Sequence, residues 1–159
     1  MGDHMTKNKF FKILALFVLL AALAWCVWAA VGTPENSAVA SLGRKYKKET
    51  VIDEGFTDRL ILIKYTYRQT IIGDDFALTQ LTPEVQERLL AYIDNFEEHL
   101  SADEDNAAKY RTAFSRDSIS SDDYVLIADS SWGDQGYSDY DLYYFDVQSK
   151  VLYYFHFDI

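Results

Sequence analysis

Ile13–Val31 (ILALFVLLAALAWCVWAAV) runs nineteen residues without a charge, and no other feature constrains the chain as strongly. As a helix rising 1.5 Å per residue it spans about 28 Å, close to the hydrocarbon thickness of a bilayer. A stretch apolar on every side suits lipid better than the core of a soluble domain. We therefore expect a single-pass transmembrane anchor, carried by Ile13, Leu14, Phe17, Leu20, Trp25 and Trp28. The two indoles sit near the far end, where such rings favour the membrane–water interface. Lys7, Lys9 and Lys12 precede the run and argue for a cytoplasmic N-terminus. Arg44, Lys45, Lys47 and Lys48 lie beyond it and weaken that orientation without reversing it.

Met1–His4 read as a cloning remnant, which leaves residues 5–31 as cytoplasmic tail and anchor. Ala38-Val39-Ala40 before Ser41 has the outline of a signal-peptidase site. The alternative to an anchor is thus a signal peptide, with secretion after cleavage near Ala40. The apolar run is longer than the usual h-region, which favours retention. Leu23–Cys26 has a lipobox-like outline, but the bulky Trp25 is ill placed before a lipidated cysteine. All three readings export the C-terminal part of the chain, to a periplasmic or extracellular location. Residues 32–43 (GTPENSAVASLG) are small, polar and interrupted by Pro34, and read as a linker.

Residues 44–159 are expected to form the exported domain. Glu49–Glu54 and Asp58–Gln69 flank Glu54-Gly55 and read as a hairpin. Ile61, Ile63, Tyr65 and Tyr67 share one face of the second strand, and Leu60 and Leu62 the other. Thr82-Pro83 opens a helix with a capping hydroxyl and a proline at its first position. Val85, Leu89, Ile93, Phe96 and Leu100 then recur at helical spacing. A second, shorter helix is expected over Asp105–Arg116. Tyr124–Ser130, Tyr140–Asp146 and Lys150–Asp158 read as three strands. In the last of them Val151, Tyr153, Phe155 and Phe157 alternate with Leu152, Tyr154, His156 and Asp158. That pattern implies one buried face and one wet or partner-facing face. The expected fold is α+β: an antiparallel sheet of about five strands (ββ-α-α-βββ), with helices on one face and one transmembrane helix before it.

The charge balance narrows function. The chain has 15 Lys and Arg against 25 Asp and Glu, a net of −10. From Val51 onward the acids number 22 (25 less Asp3, Glu35 and Glu49) and the bases 8 (15 less Lys7, Lys9, Lys12, Arg44, Lys45, Lys47 and Lys48), a net of −14. Affinity for phosphate backbones comes from Lys and Arg, so this acidic balance argues against a nucleic-acid binder. The basic segment after the anchor is suited to anionic headgroups, and the acidic domain is repelled by them.

Chemical motifs are absent. One cysteine excludes a disulfide framework and a Cys-based zinc site. His99 and His156 lack metal-ligand spacing. Asp103-Glu104-Asp105-Asn106 departs from a calcium loop at Ala107. There is no nucleophile elbow and no phosphate-binding loop, so no cofactor, metal or catalytic residue is assigned. Asp139 and Asp141 are the best candidates should the domain be a hydrolase.

The Tyr- and Asp-rich C-terminal third is the candidate partner-binding region: Trp132, Asp134, Tyr137, Asp139, Asp141, Tyr143, Tyr154, His156 and Asp158. Tyr and Trp bury large areas at low entropic cost, and carboxylates steer cationic partners. The leading expectation is a membrane-anchored protein-binding domain at the cell envelope, such as an immunity or inhibitor protein that occludes a basic toxin or enzyme. An accessory subunit of a membrane complex and an envelope hydrolase are the alternatives.

Overall fold

The computed structural model describes residues 34–55, 59–70, 72–73, 76–129 and 138–158, together with Val18. The chain divides into two compact units, Met1–Ser37 and Ala38–Ile159. Apart from Val18, the expected anchor Ile13–Val31 lies outside the described residues. Among the described residues no helix is long and apolar enough to cross a membrane.

The described elements are α1 (Pro34–Leu42), β1 (Tyr46–Glu54), β2 (Arg59–Tyr67), β3 (Thr79–Gln80), α2 (Pro83–Leu100), α3 (Glu104–Ala113), a 3-10 turn (Arg116–Ser118), β4 (Tyr124–Asp129), β5 (Asp139–Asp146) and β6 (Val151–Asp158). The strands make one six-stranded sheet in the order β1-β2-β6-β5-β4-β3, and every neighbouring pair is antiparallel. The protein is thus an α+β fold, with one strand more than the sequence pattern suggested. The addition is β3, two residues long and too short to show any alternation.

Two departures from expectation bear on the charge and burial of the domain. The first strand begins at Tyr46 rather than Glu49, so Lys47 and Lys48 belong to the sheet. The segment expected as a linker is helical over Pro34–Leu42, and Ala38, Val39 and Leu42 are buried. Small and apolar residues at i, i+1 and i+4 share one face of a helical turn, and here that face meets aromatic side chains of β2. The Tyr67 hydroxyl donates to the Val39 carbonyl oxygen at 2.9 Å. Folding this segment shifts the charge reckoning. The unit Ala38–Ile159 holds 23 acids (25 less Asp3 and Glu35) and 12 bases (15 less Lys7, Lys9 and Lys12), a net of −11.

α2 starts where its signals predict, whereas α3 spans Glu104–Ala113, stopping short of the expected Arg116, which instead opens the 3-10 turn. The Thr82 side chain accepts from the Val85 amide at 3.3 Å, and Pro83 stands at the start of α2. Asp103 caps α3 by accepting from the amides of Asp105 and Asn106. Hydrogen bonding to the Asn106 amide is the main reason its carboxyl is held below the ordinary range. Arg116 reaches back to both carboxylate oxygens of Glu97 on α2 (3.0 and 2.7 Å), and Tyr110 of α3 donates to the same carboxylate at 2.6 Å. That shared acceptor ties α3 and the turn after it to α2.

The sheet is buried on both faces, although to different extents. On the first face Leu62, Tyr140, Leu142, Tyr144, Tyr153 and Phe155 pack under Leu89, Ile93, Phe96, Tyr110 and Phe114 from α2, α3 and the residue after α3. On the second face Ile61, Ile63, Tyr65, Tyr67, Tyr143, Phe145, Leu152 and Tyr154 pack with Ala38, Val39, Leu42 and Leu78. The expectation of helices on one side only therefore needs correction, because the end of α1 covers part of the other side.

Candidate functional site

The second face changes character along the strands. Cross-strand register puts Tyr65, Leu152, Phe145 and Tyr124 in one row, and Ile63, Tyr154, Tyr143 and Leu126 in the next. A third row holds Ile61, His156, Asp141 and Ala128, and beyond it stand Arg59, Asp158 and Asp139. Apolar rows thus give way to charged ones within two residues of strand, about 7 Å. Asp158 is exposed, and Asp139, Asp141 and His156 are part-exposed.

At the boundary Asp141 is held by two donors. The Tyr154 hydroxyl donates to Oδ1 at 2.7 Å, and His156 Nδ1–H donates to the same oxygen at 2.9 Å. Burial by itself pushes the Asp141 carboxyl up, but the hydrogen bonds from His156 and Tyr154 and the neighbouring imidazole's charge outweigh it. The carboxyl is held below its ordinary value. For His156 the hydrogen bond to Asp141 is the largest influence and raises its pKa. Burial opposes it, and the charges of Asp141, Asp139 and Asp158 add to it. Asp139 pairs directly with Asp158 across the β5–β6 ladder, an unfavourable placement of like charges that protonated His156 relieves in part.

Of the proposed partner-binding residues, the structure brings Asp139, Asp141, His156 and Asp158 together at this end of the sheet. Tyr143 and Tyr154 belong to the second core cluster instead. Tyr143 is fully buried, and the two rings stack with centroids 4.8 Å apart. Their alternation along the strands reflects packing, and only the Tyr154 hydroxyl reaches the charged rows. Trp132, Asp134 and Tyr137 lie outside the described residues. Asp139 and Asp141 share a face, but Asp141 is engaged by Tyr154 and His156, an arrangement that suits a fixed anion better than a nucleophile.

Two other features were not legible in the sequence. Asp123 is 2% exposed and accepts from the Ser120 amide, the Tyr144 hydroxyl (both 2.7 Å) and the Val147 amide (3.0 Å). Its donors come from the turn just before it and from the distant end of β5, a pairing that no local pattern signals. An open depression of about 640 Å³ between the β1–β2 end and the α2–α3 corner is lined by Glu54, Leu60, His99, Asp103, Glu104 and Asp105. Asn106 donates to both Glu54 and Asp103 there, so these acids brace the corner. Among the described residues no group of three or more His, Cys, Asp or Glu is placed to hold a metal ion.

No family model, no curated protein and no solved structure matches this chain.

Proposed function

We propose that the protein is a membrane-anchored binding module of the cell envelope, whose acidic sheet end captures a basic protein. The immunity or inhibitor class is the concrete form of this reading. One observation carries it: among the described residues, the part-exposed end of the second face gathers Asp139, Asp141 and Asp158 on adjoining strands, with His156 and Arg59 beside them, while the rows before it are apolar and buried. Negative potential concentrated at one end accelerates encounter with a cationic partner, and a fixed Asp141–His156 pair keeps the rows in register for it. Inhibition in this reading is occlusion, without bond making or breaking.

Burial just before Ser41 supports retention of the anchor over cleavage near Ala40. A cut there would remove Ala38 and Val39 from the second core and strip the Tyr67 hydroxyl of its acceptor.

The test is parallel capture from the native lysate on the full chain and on its Asp139→Asn/Asp158→Asn variant, followed by measured affinity for the retained protein at two salt concentrations. A basic protein bound at least about ten-fold more weakly by the variant, and more weakly still in high salt, supports the reading. Equal binding by the two forms, or an affinity indifferent to salt, overturns it.

A further inference from the structure

Six of the twelve cations of the folded unit gather at one corner of the sheet. β1 pairs with β2 so that Tyr46 faces Tyr67, Lys47 faces Thr66 and Lys48 faces Tyr65. The β5–β6 turn arrives at the same corner, where the Tyr67 amide donates to the Lys150 carbonyl oxygen at 3.0 Å. Arg44, Lys45, Lys47, Lys48, Arg68 and Lys150 are all exposed there. Asp146, the acid of the turn, is buried and accepts from the Ser149 amide, so it does not project among them. The ion pair from Lys47 to Glu49, at 3.6 Å, is exposed on both sides and weakly neutralising.

The corner lies at the opposite end of the strands from Asp139 and Asp158, since β6 runs from Val151 beside Thr66 to Asp158 beside Arg59. The last turns of α1 pack on it through Val39 and Tyr67, and in sequence α1 stands between the apolar run and β1. Tyr46 is 43% exposed, an amphipathic ring of the type that settles at headgroup level.

We infer that this corner is a headgroup-binding foot: Arg44, Lys45, Lys47, Lys48, Arg68 and Lys150 rest on anionic phospholipid and aim the Asp139–Asp158 end away from the bilayer. The inference rests on the membrane-anchored reading and deepens it by giving the domain an orientation. A cation near an anionic leaflet strengthens association roughly five-fold, and the attraction decays within a Debye length, so a group of six close cations outweighs the more distant acids.

The test uses the full chain in a Cys26→Ser background, with a fluorophore on Ser149→Cys at the corner or on Ala102→Cys at the far end. Both positions are exposed. The chain is reconstituted into phosphatidylcholine vesicles with or without about one-third phosphatidylglycerol, and quenching by headgroup-labelled lipid is read. Stronger quenching at 149 than at 102, present only with the anionic lipid and reduced more than about ten-fold by Lys47→Glu/Lys48→Glu/Lys150→Glu, supports the inference. Equal quenching at both positions, or quenching indifferent to lipid charge, overturns it. So does soluble heparin that binds the corner while vesicle composition has no effect. Alkaline carbonate extraction separates the two readings. If carbonate strips the chain, the anchor reading fails, and the foot then stands or falls on whether the chain binds anionic but not zwitterionic vesicles beforehand.

Discussion

On the first face of the sheet, Phe155 sits between Phe96 and Phe114 with ring centroids 5.3 and 5.4 Å away, and the β6 residues of that face are buried from Val151 through Phe157. On the second face the same strand is buried at Leu152 and Tyr154, then opens at His156 and is exposed at Asp158. One strand therefore serves two environments. The difference lies in the length of cover: two helices extend over the first face, whereas α1 contributes only its last turns to the second. Polar groups follow the same division. Glu97, Arg116 and Asp123 lock elements together, whereas Asp139 and Asp158 pair across the ladder at the more exposed end, with Arg59 opposite Asp158 on the other side.

The contrast between the faces predicts its largest effect on the first. Phe155→Ala should cost about 3–5 kcal/mol of unfolding free energy in a denaturant titration. A loss under about 1 kcal/mol would mean that the helical layer is not the main core. A smaller effect belongs to the covered end of the second face. Tyr67→Phe keeps the ring and removes only the hydrogen bond to Val39, for an expected loss of about 1 kcal/mol. An unchanged stability there would show that α1 does not dock on β2.

The smallest effect on stability is expected at the open end. Asp139→Asn/Asp158→Asn should leave unfolding free energy within about 0.5 kcal/mol of the parent, or raise it, because like charges are removed. The same variant should lower the pKa of His156, followed by its ring resonances in an NMR titration, since both acids help to hold it up. Linkage at the Asp141–His156 pair has opposite signs for its two members. Asp141, held below its ordinary value of 3.8, contributes stability above that pH and loses it as pH falls through the depressed value. His156, raised above 6.5, contributes below that pH and loses it as pH rises through the elevated value. The pair's contribution thus peaks between about pH 4 and 6.5, and its part-exposure keeps the amplitude below about 1 kcal/mol. His156→Gln should flatten that maximum in stability measured against pH, and an unchanged profile would show that the pair does not contribute.

Much of the fold was legible in the sequence where a periodicity repeats. The stripe Val85, Leu89, Ile93, Phe96 and Leu100 marked α2, and the alternation in Val151–Asp158 sorted the side chains of β6 correctly between its two faces. Segments without enough repeats were missed: β3 has two residues, and α1 is short, polar at its start and opened by proline. At the candidate site the charge of the acids and of His156 is readable residue by residue, whereas their grouping at one end of the sheet is not. Tyr143 and Tyr154 belong to the second core cluster, which no local pattern reveals, because an aromatic alternating along a strand looks the same whether its face meets solvent, a partner or the end of another helix.

The sequence by itself determined the local elements, the acidic surplus and an apolar run long enough to span a bilayer, all properties of neighbouring residues. Only the tertiary structure decided where the charges stand. Antiparallel pairing folded Lys47, Lys48 and Lys150 to one end of the sheet and Asp139, Asp141 and Asp158 to the other. Register is set by which side chains must be buried together across strands, and that requirement links residues about a hundred positions apart that no local pattern connects.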